Sequence, residues 1–135
     1  MNKGIEENFV KKFIDKRYQD RILYELFSLK KRTKALSKFA HNANEILVSQ
    51  MIKKQGGSIS IDDLNEVSEK FLCGNEECYI ISDDSFDGTT QVLEDCLSIV
   101  LEQPMCTIVI CSTNLAIVKE ELSQGAPIKY VLYHK

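Results

Sequence analysis

A chain of 135 residues, 44% hydrophobic and 27% charged, has the composition of one globular domain, able to bury a core without disulfides or a structural metal. Its apolar runs are a few residues long, far short of the roughly 20 that span a bilayer. The N-terminal MNKGIEENFVKKF has no apolar core of a secretory signal, and the net charge of -3 is no excess of positive charge for nucleic acid, so a cytoplasmic protein without membrane attachment is expected.

Through residues 5–29, Phe9, Val10, Phe13, Ile14, Tyr18, Ile22, Leu26 and Leu29 recur at helical spacing, which predicts one amphipathic helix. Arg17 with Asp20, and Arg21 with Glu25, are placed to pair along it. Leu36, Phe39, Ala40, Ala43, Leu47, Met51 and Ile52 predict a second helix, with Thr33 as a possible cap and a stop at Gln55-Gly56-Gly57. Ser60-x-x-Asp63 has the form of a capping box for a third, with Leu64, Val67, Phe71 and Leu72 as its buried stripe and a stop at Gly74-Asn75.

From residue 78 the period changes. Residues 78–82 predict an apolar strand, and residues 89–102 a helix with Val92, Cys96, Ile99 and Val100 inward. Residues 106–111 are nearly all apolar, as in a central strand buried on both faces. A turn at 112–114 leads to a strand over 115–121 that reads as nearer an edge; a turn at 125–127 leads to a last strand over 128–134. The first two strands, joined through a helix, would be parallel if adjacent. The expected fold is α+β: N-terminal helices packed on a four-stranded, mostly antiparallel C-terminal sheet with one crossover helix. A single domain is expected, with a helical part over 1–57 and the helix and strands over 58–135.

Charge is distributed unevenly. Residues 1–54 hold 13 Lys and Arg against 6 Asp and Glu, and residues 55–135 hold 4 against 14. So strong a polarity can steer a charged partner to one face. The acidic half offers Glu76, Glu77, Asp83, Asp84 and Asp87 as candidate partner-binding residues. The basic half offers Lys30, Lys31, Arg32, Lys34 and Lys38 as a candidate phosphate-binding cluster, although few aromatics lie near it for base stacking.

Asp83-Asp84-Ser85-Phe86-Asp87-Gly88, with Glu94 beyond, matches the spacing of oxygen ligands in a calcium loop. A strand precedes it where a calcium-binding helix–loop–helix needs a helix, and Thr90 stands where an aliphatic residue belongs. The simpler reading is a strand-to-helix turn in which Asp87 or Thr89 caps the helix and Gly88 takes an unusual backbone conformation. Cys73, Cys78, Cys96, Cys106 and Cys111 are an odd count, suited to a reducing compartment, and the loose Cys73-x4-Cys78 spacing without a nearby His argues against zinc. His41 reads as a structural residue near the core edge, hydrogen-bonded there. No nucleophile elbow or Gly-rich phosphate loop is present, so neither catalysis nor a cofactor is expected.

Two sets of segments carry a resemblance. One is the run from Arg21 to Leu26 with Lys30-Lys31-Arg32 and the run from Lys38 to His41. The other is the run from Cys78 to Ile81 with Asp87-Gly88 and the run from Asn114 to Glu121. Together they resemble small immunity proteins of bacterial toxin systems, in particular those of contact-dependent growth inhibition. The resemblance implies a cytoplasmic, non-catalytic protein that binds one cognate toxin domain, often a nuclease. It assigns no site residue. Carboxylates that mimic phosphates can block a nuclease's basic cleft and speed association, so the acidic loops are the expected docking surface.

Overall fold

The computed structural model describes residues 1–48, 52–56, 59–121 and 128–134. The first apolar stripe folds as two helices rather than one. Asn2 caps α1 (Lys3–Phe13), its side chain accepting from the Ile5 amide at 3.1 Å. Ile14 then turns extended and bridges Leu47, and Asp15 restarts the chain as the N-cap of α2 (Lys16–Leu26). Asp15 accepts from the Arg17 amide and side chain, so Arg17 pairs with Asp15 and not with the expected Asp20, while Arg21 meets Glu25 at 3.1 Å as expected. An Asp inside a helical stripe competes with the helix by capping a new one. Because α2 stops at Leu26, Leu29 falls beyond the stripe and is 86% exposed.

Helix α3 (Arg32–Ile46) starts without a side-chain cap, so Thr33 does not play that part, and non-helical backbone at Asn42 kinks it. Instead of continuing as helix, Ile52 opens strand β1 (Ile52–Gly56), while Met51 and Gly57 lie outside the described residues. The expected capping box is present before α4 (Ile61–Val67): the Ser60 amide donates to Asp63 Oδ2 at 2.8 Å and the Asp63 amide to Ser60 Oγ at 3.2 Å. The helix ends at Val67, short of the predicted stripe, and leaves Phe71 91% exposed.

The remaining elements are β2 (Glu77–Ser82), β3 (Thr90–Val92), α5 (Leu93–Ser98), a 3-10 turn (Val100–Glu102), β4 (Thr107–Ser112), β5 (Leu115–Lys119) and β6 (Ile128–Tyr133). The turn expected at 112–114 is present, and that at 125–127 lies outside the described residues. The α+β class holds, but the sheet has six strands rather than four, in the order β1-β6-β5-β4-β2-β3, with every neighbouring pair antiparallel. β4 is buried on both faces as predicted, through Ile110. β5, expected near an edge, is interior and wholly buried, because β4 and β6 pair with it on either side.

β2 and β4 are adjacent but antiparallel, which corrects the parallel expectation. Residues 90–92 do not begin the helix; they fold back on β2 as a hairpin. β3 and β4 both oppose β2, so they share a direction, and α5 is the crossover between them. In consequence Val92 and Ile99, expected inward, are 38% and 48% exposed.

Alternate strand residues supply two cores. Tyr79, Ile81, Ile108, Val118 and Leu132 pack under α1, α2 and α3 on one face. Ile80, Val109, Ile117 and Val131 pack with Leu64 of α4 and Cys96 of α5 on the other. The sheet is thus the middle of three layers, and the charge split becomes spatial: basic helices on one side, acidic helices on the other. No helix among the described residues is long and apolar enough to cross a membrane.

Candidate functional site

The acidic layer is one-sided in charge. Lys70 is the only basic residue between positions 59 and 105, against twelve carboxylates. The five carboxylates singled out from the sequence do not form one patch within it. Glu76 and Glu77 stand at the start of β2, while Asp83, Asp84 and Asp87 lie past its end, roughly 20 Å away at a strand rise of ~3.3 Å per residue.

Three of the five carry internal bonds. Glu76 accepts the Cys73 amide at 2.9 Å and the Gly74 amide at 3.0 Å, and these bonds, that to Cys73 foremost, hold its carboxyl below the usual range. Asp84 accepts the Ser82 hydroxyl at 2.6 Å and the Phe86 amide at 2.9 Å, which shapes the loop; its Oδ2 is buried without a hydrogen-bond partner. Asp87 accepts two bonds from Arg32, at 2.8 and 2.9 Å, and the Ser82 amide at 3.1 Å. Glu77 and Asp83 remain exposed.

The same bonds bear on the calcium reading. The loop is a hairpin turn between β2 and β3, with Gly88 at φ 75° as anticipated. Neither Asp87 nor Thr89 caps α5, whose N-cap is Val92. Among the described residues, no three His, Cys, Asp or Glu side chains converge as a metal site would require.

The basic cluster is also divided. Arg32 is 7% exposed and turns inward, its Nη1 and Nη2 each 2.7 Å from the carboxylate of Glu6, itself 0% exposed. The Tyr79 hydroxyl donates to Glu6 Oε2 at 2.6 Å and accepts the Asn2 amide at 2.8 Å. Arg32, Glu6, Tyr79 and Asp87 therefore tie α1, α3, β2 and the acidic loop together. Lys38 pairs with buried Glu25 at 2.6 Å. Lys30 and Lys34 stay exposed, and Lys31 donates to the Tyr24 hydroxyl at 3.0 Å. Tyr24, unnoticed in the sequence, lies 53% exposed with Lys31 and Arg21 over its ring at 4.7 and 5.7 Å, and the Lys31 bond lowers its phenol below the usual value. His41 is exposed, 3.5 Å from Glu121 Oε2, and not seated at the core edge.

Sequence reasoning missed a second acidic feature. Glu94, Leu97, Ser98 and Glu102 line a groove of about 450 Å3 with Ile59 and Ile61 at the start of α4. Glu94 and Glu102 of this lining are exposed, as are their chain neighbours Asp95 and Ile99. The four-residue spacing of Glu94, Ser98 and Glu102 was a signal in the sequence, although Glu94 and Ser98 stand on α5 and Glu102 on the 3-10 turn after it. The groove thus combines apolar lining from Ile61 and Leu97 with carboxylates at Glu94 and Glu102.

Compared with known proteins, the chain matches no family model, no curated protein and no solved structure.

Proposed function

We propose that this chain is an immunity-type binding protein that neutralises a basic toxin domain, a nuclease, by covering its phosphate-binding cleft with the acidic layer. The observation that carries the reading is the separation of charge between the helical layers: α4, α5 and the 3-10 turn carry Asp62, Asp63, Glu66, Glu94, Asp95 and Glu102 and no Lys or Arg. A field of that sign attracts and orients a cationic cleft and accelerates encounter. The docking residues on this reading are Glu94 and Glu102, which line the α4–α5 groove, with Asp95 exposed next to Glu94 on α5; the exposed Glu77 and Asp83 lie on the other face, beside α1 and α3, and are not part of this surface. Asp84, Asp87 and Glu76 act indirectly, by holding the loops in shape.

The test is co-purification with the product of the neighbouring gene, followed by binding kinetics at two salt concentrations. Glu94→Lys with Glu102→Lys should slow association at least tenfold at low salt and flatten the salt dependence. Association unchanged by both reversals removes the acidic-layer mechanism.

A second reading, nucleic-acid binding through Lys30, Lys31 and Lys34, is supported by Tyr24, an exposed ring among three cations on which a base can stack. Arg32 and Lys38 leave that candidate site because both are engaged by acids. Salt-dependent retention of single-stranded RNA or DNA, lost in Tyr24→Ala, would favour it over the first.

A further inference from the structure

β2 and β4 pair with Tyr79 opposite Ile110 and Ile80 opposite Val109. One more step along this antiparallel register sets Cys78 opposite Cys111. Both belong to the core on the α4–α5 side, Cys78 fully buried and Cys111 half-buried. Directly opposed residues in such a ladder have Cα atoms about 4.5 or 5.5 Å apart, and both spacings lie inside the roughly 4.4–6.8 Å window of a disulfide. Cys111 is the foremost influence on the Cys78 thiol, which itself donates to the Glu76 carbonyl at 3.9 Å. The β4–β5 register slips between Ile110 and Ser112, which makes Cys111 the extra residue of a bulge, where the ladder is interrupted and the side chain can be re-aimed. Cys96 of α5 also neighbours Cys78, but its thiol donates to the Gln91 carbonyl at 3.7 Å, and it is fully buried and does not face solvent.

We propose that Cys78 and Cys111 are an oxidation site, a cross-strand dithiol that a low-molecular-weight disulfide such as oxidised glutathione converts into an intramolecular disulfide. The more exposed thiol reacts first. Cys111 loses its proton, its sulfur attacks one glutathione sulfur, and the first glutathione leaves as a thiolate. Cys78 then loses its proton and attacks Cys111 Sγ, expelling the second glutathione. Two protein thiols are oxidised, one glutathione disulfide is reduced to two thiols, and the two protons pass to those thiolates. The neighbouring Cys111 thiol foremost, and burial, push the Cys78 thiol well above its ordinary value, so the second step is the slow one and the mixed disulfide at Cys111 precedes the bridge. The site is independent of the proposed binding function.

The experiment uses the folded chain with Cys73→Ser, which removes the exposed thiol and leaves four. After incubation with oxidised glutathione, free thiols are alkylated. Cleavage after glutamate separates Cys78, Cys96, and the fragment holding Cys106 and Cys111, for mass mapping. The expected result is a transient glutathione adduct on Cys111, then loss of two of the four thiols in a Cys78–Cys111 linkage that dithiothreitol reverses. In a Cys111→Ser companion, tolerated at a half-buried position, Cys78 should remain alkylatable. A Cys78–Cys96 linkage, loss of the Cys78 thiol in Cys111→Ser, a Cys111 adduct that never resolves, or four intact thiols would each overturn the proposal.

Discussion

Arg32 and Glu6 meet as a two-bond pair, Nη1 to Oε1 and Nη2 to Oε2, both at 2.7 Å, with the two side chains only 8% and 0% exposed. Burial disfavours the charge of Arg32, and the bonds to Glu6 and Asp87 more than offset it, leaving the guanidinium held above its usual value. Removing one member of such a pair strands the other. Glu6→Ala and Arg32→Ala should each destabilise by about 3–5 kcal/mol in urea unfolding. Asp87→Ala should do less, because that carboxylate is 29% exposed. A loss below about 1 kcal/mol for Glu6→Ala would mean that the pair is not formed in solution.

Tyr79 links this pair to the chain start. Burial first, and its bond to Glu6 second, push its phenol up to about 12 from 10.0. A raised folded value means that the native state holds the proton more tightly. Its contribution is therefore full below pH 10 and fades as pH rises toward 12. Tyr79→Phe should cost about 1–2 kcal/mol at neutral pH. The difference between wild type and Tyr79→Phe should shrink across that alkaline window in a pH series of urea titrations, and a constant difference would contradict it.

Lys119 is the reverse case. It is fully buried on β5, opposite the likewise buried Lys129, and donates to the Gln103 carbonyl. Burial depresses its pKa, so its charge disfavours the native state until pH rises toward 10.5. Lys119→Met keeps the length of the side chain and removes the ammonium. It should be neutral or stabilising by about 1–3 kcal/mol near pH 7, read from the urea midpoint at constant slope. A clear loss of stability would show that the ammonium is paired more strongly than the carbonyl bond implies.

Phe71 and Phe9 separate periodicity from structure. Both fall in helical stripes, yet Phe71 is 91% exposed and Phe9 is 1% exposed against Phe13 and Phe39. Phe71→Ala should change stability by no more than about 0.5 kcal/mol, and Phe9→Ala should cost about 3–5 kcal/mol. Comparable effects at the two positions would mean that α4 continues past Val67.

The sequence by itself determined what depends on neighbours along the chain. The Ser60–Asp63 capping box, the left-handed Gly88 turn, the apolar strand from Thr107 and the two-way division of charge all follow from local composition and spacing. Only the tertiary structure decided what depends on distant partners. Asp15 splits a stripe because Ile14 can bridge Leu47; Ile52 becomes strand because β6 offers an edge; residues 90–92 turn back because β2 does. The fate of the charged candidates was settled the same way. Arg32 and Asp87 are 55 residues apart and read as opposite ends of two separate surfaces, yet they bond each other, and Glu6 completes the set. Periodicity reports which face a residue presents, whereas burial of a charge depends on whether folding brings it a counter-charge close enough to offset desolvation. That pairing is a long-range event, with no trace in local spacing.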